Sequence, residues 1–411
     1  MLQRPGNQLS SSATNQPARL PELRQVGVIG GGQLAGMMAA AAKNMGIGLV
    51  VQTPHRTDPA VGIATDAILA AIADLEATTQ LAARCDVITF ENEFIDLPAL
   101  TALAQQGVCF RPGLETLSPL LDKYEQRCYL QQLGLPVPKF NCLQPGSNLG
   151  DLGLGFPIVI KARRHGYDGQ GTFIIKDERD LLDFWQRVEA SQDQSNAFLV
   201  EEFIPFEQEL AVIAVRSVAG EFFTYPTVET QQEDQVCRRV IAPAALSPAV
   251  EFEINAIAQT LLESLQAVGI FGIELFLTHE GQVLINEVAP RTHNSGHFTL
   301  DACETSQFEQ HLRAVCNLPL GNPGLQTPGA VMVNLLGYEE ADDDYLTKRH
   351  QLAQVPDAVV HWYGKSKAYP GRKLGHVTVL LNASGRDQAL EVAQAVEAIW
   401  YGDLLQPQPK E

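Results

Sequence analysis

The sequence predicts a mixed fold, α/β in its first part and α+β beyond, and three observations carry that reading. Short apolar strands alternate with helices up to about residue 121, the pattern of a parallel sheet. After Asp122 the strands pair around glycine-bearing turns instead. From about residue 204 the chain is β-rich, with two hairpin signatures. A length of 411 residues also asks for several domains and not one core.

Each element follows from local pattern. Residues 26–29 read as a buried strand, 30–36 as a glycine turn and 37–45 as an Ala/Met-rich helix stopped by Gly46. Further strands are expected at 47–51, 67–73 and 86–90, with a helix at 75–84. Asp122, with Glu125 three residues on, is an N-cap candidate for a helix ending near Gly134, before Pro136 and Pro138. Strands at 157–161 and 172–175 flank a glycine loop, 180–189 is helical, and 198–203 is a strand. Residues 210–216 and 221–226 form a hairpin around Ala219-Gly220, and 249–268 a helix. Residues 271–277 and 282–286 form a second hairpin around His279-Glu280-Gly281. Strands at 330–335, 359–363 and 376–381 precede a closing helix at 386–399. The divisions expected are a disordered tail 1–23, rich in Gln, Ser, Pro and Asn, and units at 24–121, 122–203, 204–324 and 325–411.

Composition excludes several classes. A net charge of −19 argues against a partner of nucleic acid or anionic membrane. No apolar run is long enough to span a bilayer, and the start lacks the apolar stretch of a secretory signal. Seven scattered cysteines without a C-x-x-C point to free thiols in a reducing compartment.

Four constellations could carry chemistry. Gly30, Gly32 and Ala35 fit G-x-G-x-x-A, which in a dinucleotide-binding domain seats pyrophosphate at a helix N-terminus. That domain also needs an acid at the end of the next strand, where this chain has Gln52-Thr53-Pro54, so a nicotinamide dehydrogenase is disfavoured. The turn is left to hold another anion or to pack backbone closely. The second constellation is the loop Gly166-Tyr167-Asp168-Gly169-Gln170-Gly171 between two strands, whose backbone N–H groups could converge on phosphates, with Lys161 reaching the same place. The third is Glu274 and Glu287, one on each strand of the second hairpin amid apolar neighbours. Facing one another beside Asn286, they would offer Mg²⁺ a hard oxygen site. The polar run Arg291-Thr292-His293-Asn294-Ser295-Gly296-His297 follows them, where transferring phosphoryl charge needs neutralising. The fourth is a stretch from 358 to 381 without an acid, holding Lys365, Lys367, Arg372 and Lys373, which suits a phosphorylated ligand.

GYDGQG at 166–171, INEVAPRTHNSGH at 285–297 and WYGKSKAYPGRKLGH at 362–376 resemble the ATP-grasp superfamily, and within it the N5-carboxyaminoimidazole ribonucleotide synthases of purine biosynthesis. Asp122-Lys123 and Glu201-Glu202-Phe203 agree in order and spacing. The resemblance implies an ATP-grasp fold with an N-terminal Rossmann-like domain and a small C-terminal β-rich domain. It implies a cytoplasmic, dimeric ligase that uses ATP, Mg²⁺, bicarbonate and aminoimidazole ribonucleotide, with a passing contact to the mutase that takes the product. Lys123, Lys161 and the segment Gly166 to Thr172 would hold phosphates, although the family usually has a basic residue at the place of Gln170. Backbone groups of Glu201, Glu202, Phe203 and Ile204 would meet adenine, Glu209 the ribose, and Gln232 the nucleotide. Asn286 and Glu287 would also border the nucleotide, and Glu274 and Glu287 would take the metal. Arg291, Lys161, Asn294 and His297 would serve catalysis, and Glu91, Glu93, Lys365 and Arg372 the ribonucleotide. A formate-dependent glycinamide ribonucleotide ligase is the nearest alternative, and a non-catalytic nucleotide binder a further one.

Overall fold

The computed structural model describes residues 21–164, 166, 171–190 and 197–402. Tyr167, Asp168, Gly169 and Gln170 of the glycine loop lie outside the described residues, as does the expected tail up to residue 20. Leu23 is tied down: its N–H donates to Cys316 O at 3.0 Å.

The first strands are buried on both faces, as a parallel sheet between helices requires. Strands β1 (Gln25–Ile29), β2 (Gly48–Thr53), β3 (Asp66–Leu69) and β4 (Val87–Phe90) form a parallel sheet of order β3-β2-β1-β4. The helix Gln33–Met45 crosses from β1 to β2 and buries Ala35, Met38 and Ala42. Strand order reverses between β1 and β4, so their carboxyl ends open a crevice, the usual ligand position in such sheets.

A second, antiparallel sheet comprises β5 (Phe140–Leu143), β6 (Ile158–Ala162), β7 (Thr172–Ile175) and β8 (Phe198–Glu202), in the order β5-β8-β6-β7. The helix Glu178–Ala190 covers it through Phe184, whose ring lies 5.1 Å from those of Phe173 and Phe198. Strand β5 escaped sequence reading because its four residues, three partly buried and one buried, show no alternation.

The third sheet is antiparallel and has nine strands. They are β9 (Phe206–Arg216), β10 (Phe222–Thr224), β11 (Val228–Glu233), β12 (Val236–Ala242), β13 (Gly269–Thr278), β14 (Val283–Ala289), β15 (Gly329–Leu336), β16 (Ala358–Trp362) and β17 (Lys373–Leu381). The order is β14-β13-β9-β11-β12-β15-β17-β16, with β10 against β9. Residues beyond 325 therefore continue the sheet through the β12–β15 pairing. The helix Pro248–Ser264, capped by Ser247, packs Ile254, Leu261 and Leu262 against Val212, Phe271 and Ile273. It ends four residues before the expected 268, because Leu265 caps it and Gln266 turns left-handed. The helix Gln307–Val315, which the sequence reading missed, packs Phe308, Leu312 and Val315 into the core of the first sheet.

All seven cysteines are free. Among the described residues no helix is long and apolar enough to cross a membrane.

Candidate active site

Hairpin parity brings Glu274 and Glu287 face to face, directly opposite across β13 and β14. A bulge follows at once: Leu275 pairs with Ile285, leaving Asn286 without a cross-strand partner. Such a bulge re-aims a side chain, and Asn286 Nδ2 donates to Glu274 Oε2 at 3.2 Å. His293 Nε2 lies 3.5 Å from the other Glu274 oxygen. Burial, and then the charge of Glu287, push the Glu274 carboxyl up to about 7. Burial also works against Glu287, but Lys123, whose Nζ donates to Glu287 Oε1, holds it below the usual range. Glu209 on β9 is raised to about 7 as well, by burial and then by Glu274.

Lys161, at the end of β6, crosses to this hairpin. Its Nζ donates to Asn286 Oδ1 at 2.9 Å and pairs with Glu201 Oε2 at 2.7 Å. Arg127 completes the network: its guanidinium grips Glu201 Oε1 and the Asn286 carbonyl from the helix Lys123–Gln132. Burial alone would raise Glu201, but Arg127 and Lys161 bring it down to about 2. Burial lowers the Lys161 ammonium despite Glu201. Sequence reasoning missed Arg127, since its partners are 74 and 159 residues away. It gave Glu201 a backbone role, whereas the side chain anchors two cations.

The expected N-cap holds. Asp122 accepts from the N–H groups of Tyr124 and Glu125, and Arg163 clasps it at 2.9 Å. The Lys123 N–H donates to Arg163 O at 2.8 Å, fixing the root of the glycine loop beside the helix. At the loop's far end the Ala162 N–H donates to Gly171 O at 2.7 Å. Gly171 has φ +82° and a Cβ there would sit 2.9 Å from Ala162 Cβ, so glycine is needed twice over. Gly166 and Thr172 border the same loop. Residues 203–205 carry the chain from β8 to β9, between the second and third sheets, and Phe203 is partly exposed there. Glu202 accepts from the Lys139 N–H at 2.7 Å. Gln232 lies exposed at the far end of β11.

The crevice of the first sheet holds a second cluster. The glycine turn does take an anion, and it is internal: Glu91 accepts from the N–H groups of Gly32, Leu34 and Ala35 at 2.7, 3.1 and 3.2 Å. A Cβ on Gly30 would lie 2.5 Å from Glu91 Oε2, which explains the glycine. Glu91, expected to face the ribonucleotide, is engaged here by the helix N-terminus of its own chain. Its carboxylate caps a helix and is 8% exposed. Glu93 pairs with Arg291 Nε at 2.9 Å. Burial opposes the Arg291 charge, but Glu93, Glu287 and Glu91 hold the guanidinium firmly protonated. Arg291 thus lies between the two acid clusters. Lys365 arrives from the C-terminal segment, its Nζ donating to Gln33 Oε1 at 2.7 Å and to Lys373 O at 2.6 Å. Gln33 is the first residue of the capped helix and was missed, because nothing in a lone Gln marks it. Arg372 donates to Lys367 O at 2.6 Å and covers the Tyr369 ring at 5.1 Å, within its own turn.

Two expected catalytic residues are set back from this surface. Asn294 exchanges amide hydrogen bonds with Asn334 of β15 at 3.0 and 2.8 Å. His297 has no exposed surface, and its Nδ1 accepts from Gln307 Nε2 at 3.2 Å. Burial, then Lys373, keep its imidazole neutral. His297, expected to serve catalysis, packs behind the site surface in this structure. Asp301, His361 and His376 bring ligand atoms within 4.8 Å of one another. The two imidazoles stack at 4.5 Å and 14°, however, so their lone pairs do not converge on one ion.

Comparison with known proteins bears on this geometry. Residues 128–308 match the ATP-grasp domain, 23–118 the ribonucleotide synthetase preATP-grasp domain, and 330–391 the phosphoribosylaminoimidazole carboxylase C-terminal domain. The chain is 52% identical to the N5-carboxyaminoimidazole ribonucleotide synthase of Synechococcus elongatus, over 94% of this chain and 98% of the relative. It is similar to the crystal structure of an ADP complex of N5-carboxyaminoimidazole ribonucleotide synthetase, with TM-score 0.85, 35% identity and coverage of 94% and 99%. A further match is the Aspergillus clavatus synthase in complex with ADP and 5-aminoimidazole ribonucleotide, with TM-score 0.81, 32% identity and coverage of 92% and 99%.

Proposed function

The chain belongs to the N5-carboxyaminoimidazole ribonucleotide synthase family, and from that premise we propose how its residues divide the work. The reaction is the ATP-dependent carboxylation of 5-aminoimidazole ribonucleotide with bicarbonate, in purine biosynthesis. The match at 330–391 sets aside the formate-dependent alternative.

The observation that carries the site reading is the Glu274–Glu287 pair, set opposite in one hairpin, with Lys123 and Lys161 beside both acids and Arg291 near Glu287. Two carboxylates and no sulfur or imidazole in the facing pair make a hard donor set, which fits Mg²⁺. Glu274 and Glu287 would hold the ion, whose charge would neutralise the phosphate oxygens of ATP. Lys161 and Lys123 meet the same phosphates, the loop 166–172 covers them, and the segment 201–204 with Glu209 takes the nucleoside. A bicarbonate oxygen attacks the γ-phosphorus and the bond to the bridging oxygen of ADP breaks. Arg291 stabilises the charge that develops. The carboxyphosphate so formed passes its carboxyl carbon to the exocyclic amine, directly or as CO₂, and phosphate leaves. Arg291 and Glu93 stand between the nucleotide and the crevice, so the amine is presented there, with Lys365 and Arg372 on the ribonucleotide phosphate.

The test is ADP release with bicarbonate and aminoimidazole ribonucleotide against formate and glycinamide ribonucleotide. Only the first pair should support turnover, and equal rates would overturn the substrate reading. On the resemblance alone we also propose a homodimer, a cytoplasmic location and a passing contact with the mutase. Light scattering of the purified chain tests the first.

A further inference from the structure

The helix Gln307–Val315 carries one residue that the mechanism leaves unused. His311 is completely buried where the first and third sheets meet. The Ile270 N–H, at the start of β13, donates to its Nδ1 at 3.1 Å. Its Nε2 lies 2.8 Å from Thr89 Oγ1 on β4. The first contact settles the tautomer: Nδ1 is an acceptor, so the single ring proton sits on Nε2 and is donated to Thr89. Burial brings the imidazole pKa down to about 4, so this tautomer persists at neutral pH. Gly269 is flush with the ring: a Cβ there would lie 3.0 Å from His311 Cε1, and its φ is +116°.

Each partner lies just upstream of a reacting cluster. Two residues beyond Thr89 is Glu91, which fixes the glycine turn, and two further is Glu93, which holds Arg291. Four residues beyond Ile270 is Glu274. Ile270 and Glu274 share β13, so a displacement at one is carried to the other. Glu91 directly follows β4, its N–H still donating to Ile29 O at 3.1 Å, so a displacement at Thr89 moves the root of the Glu91–Glu93 segment. Transfer of a short-lived carboxyl group depends steeply on such alignment.

We propose that His311 is a positioning residue for the carboxylation, a neutral two-ended clamp that holds the Glu91–Glu93 arm in register with the Glu274–Glu287 hairpin. The proposal rests on the site reading above. Its loss misplaces the amine acceptor relative to the nucleotide without removing any group that touches either substrate.

Thr89→Val removes the acceptor at nearly constant shape, and Thr89→Ser keeps a hydroxyl. Thr89→Val should raise the KM for aminoimidazole ribonucleotide about fivefold and lower kcat, with the KM for ATP within twofold. Thr89→Ser should restore most of the loss. His311→Phe combined with Thr89→Val should be no worse than His311→Phe alone, since one bond is broken in both. Unchanged kinetics in a folded Thr89→Val protein, equal rises in both KM values, or additivity in the cycle would overturn the clamp. If His311→Phe does not fold, the Thr89 pair decides. Arg372→Ala serves as the control for the site: if it alters the ribonucleotide KM and Thr89→Val does not, the clamp fails and the site reading stands.

Discussion

Glu91 is buried and Glu274 half-buried near the active crevice, and desolvation raises the pKa of both. The next influences on them have opposite signs. For Glu91 they are the N–H groups of Gly32, Ala35 and Leu34 and the charge of Arg291, all favouring the carboxylate. For Glu274 it is Glu287, a second negative charge directly across the hairpin. The chain itself supplies the counter-charge for Glu91, so that acid is finished as structure. At Glu274 the chain sets a like charge directly opposite, which Lys123, Lys161 and Lys373 offset only in part, so a further cation is favoured there. A buried acid is read as structural or functional by who supplies its opposite charge.

The largest effect should come from breaking the unfinished site. Glu287→Gln keeps shape and removes one charge from the facing pair. Turnover should fall by orders of magnitude at saturating Mg²⁺, with the circular dichroism spectrum and unfolding midpoint close to those of the parent. A near-normal kcat would end the metal reading.

The same comparison gives a pH dependence with a definite sign. Glu274, raised to about 7, holds a proton below that pH, and a cation must displace it. The Mg²⁺ concentration at half-maximal rate should therefore rise as pH falls below about 7, approaching tenfold per pH unit for one displaced proton. Above pH 8 it should be flat. Titrations at pH 6, 7 and 8 check this. A pH-independent requirement would mean that Glu274 is already charged.

Arg372 sharpens the contrast between the two ends of the crevice. Its guanidinium is held by Lys367 O and the Tyr369 ring, in a turn distant in sequence from every nucleotide residue. Arg372→Ala should raise the KM for aminoimidazole ribonucleotide at least tenfold, about 1.4 kcal/mol, and leave the KM for ATP nearly unchanged. Arg372→Lys should recover part, since a point charge replaces a planar fork. A rise in the ATP value alone would move the basic segment to the nucleotide end.

These expectations rest unevenly on sequence. The facing of Glu274 and Glu287 was legible because a hairpin around Gly281 fixes which residues oppose, and the Asp122 cap because capping is local. The parallel sheet was legible from periodicity. The Arg127–Glu201 pair and the Glu91 cap were not, since each joins segments 74 and 56 to 59 residues apart through packing that no short pattern encodes. The enclosure of His297 was not legible for the complementary reason. A histidine in a polar run looks available, and only the fold around Gln307 and Phe308 shows it enclosed.

The smallest predicted effect tests the opening comparison directly, through stability and not rate. Glu91→Gln preserves size but turns an acceptor-only group into one that carries an N–H₂. One of its two terminal atoms must then face the N–H groups of Gly32 or of Leu34 and Ala35, donor against donor. The helix Gln33–Met45 also loses a negative charge at its N-terminus, where the peptide dipoles favour one. A loss of about 1 kcal/mol is expected, with about 2 as the upper end for a partly buried cap. At pH 8, where Glu274 is charged, Glu274→Gln should do the opposite in the absence of Mg²⁺, because it removes a charge that Glu287 repels and leaves an amide able to hydrogen-bond Asn286. Its stability should equal or slightly exceed that of the parent, although its activity is lost. Urea unfolding of both variants without metal reads the two signs side by side. If Glu274→Gln were the more destabilised of the two, the chain would already be satisfying that carboxylate, and the division between a finished and an unfinished acid would fall.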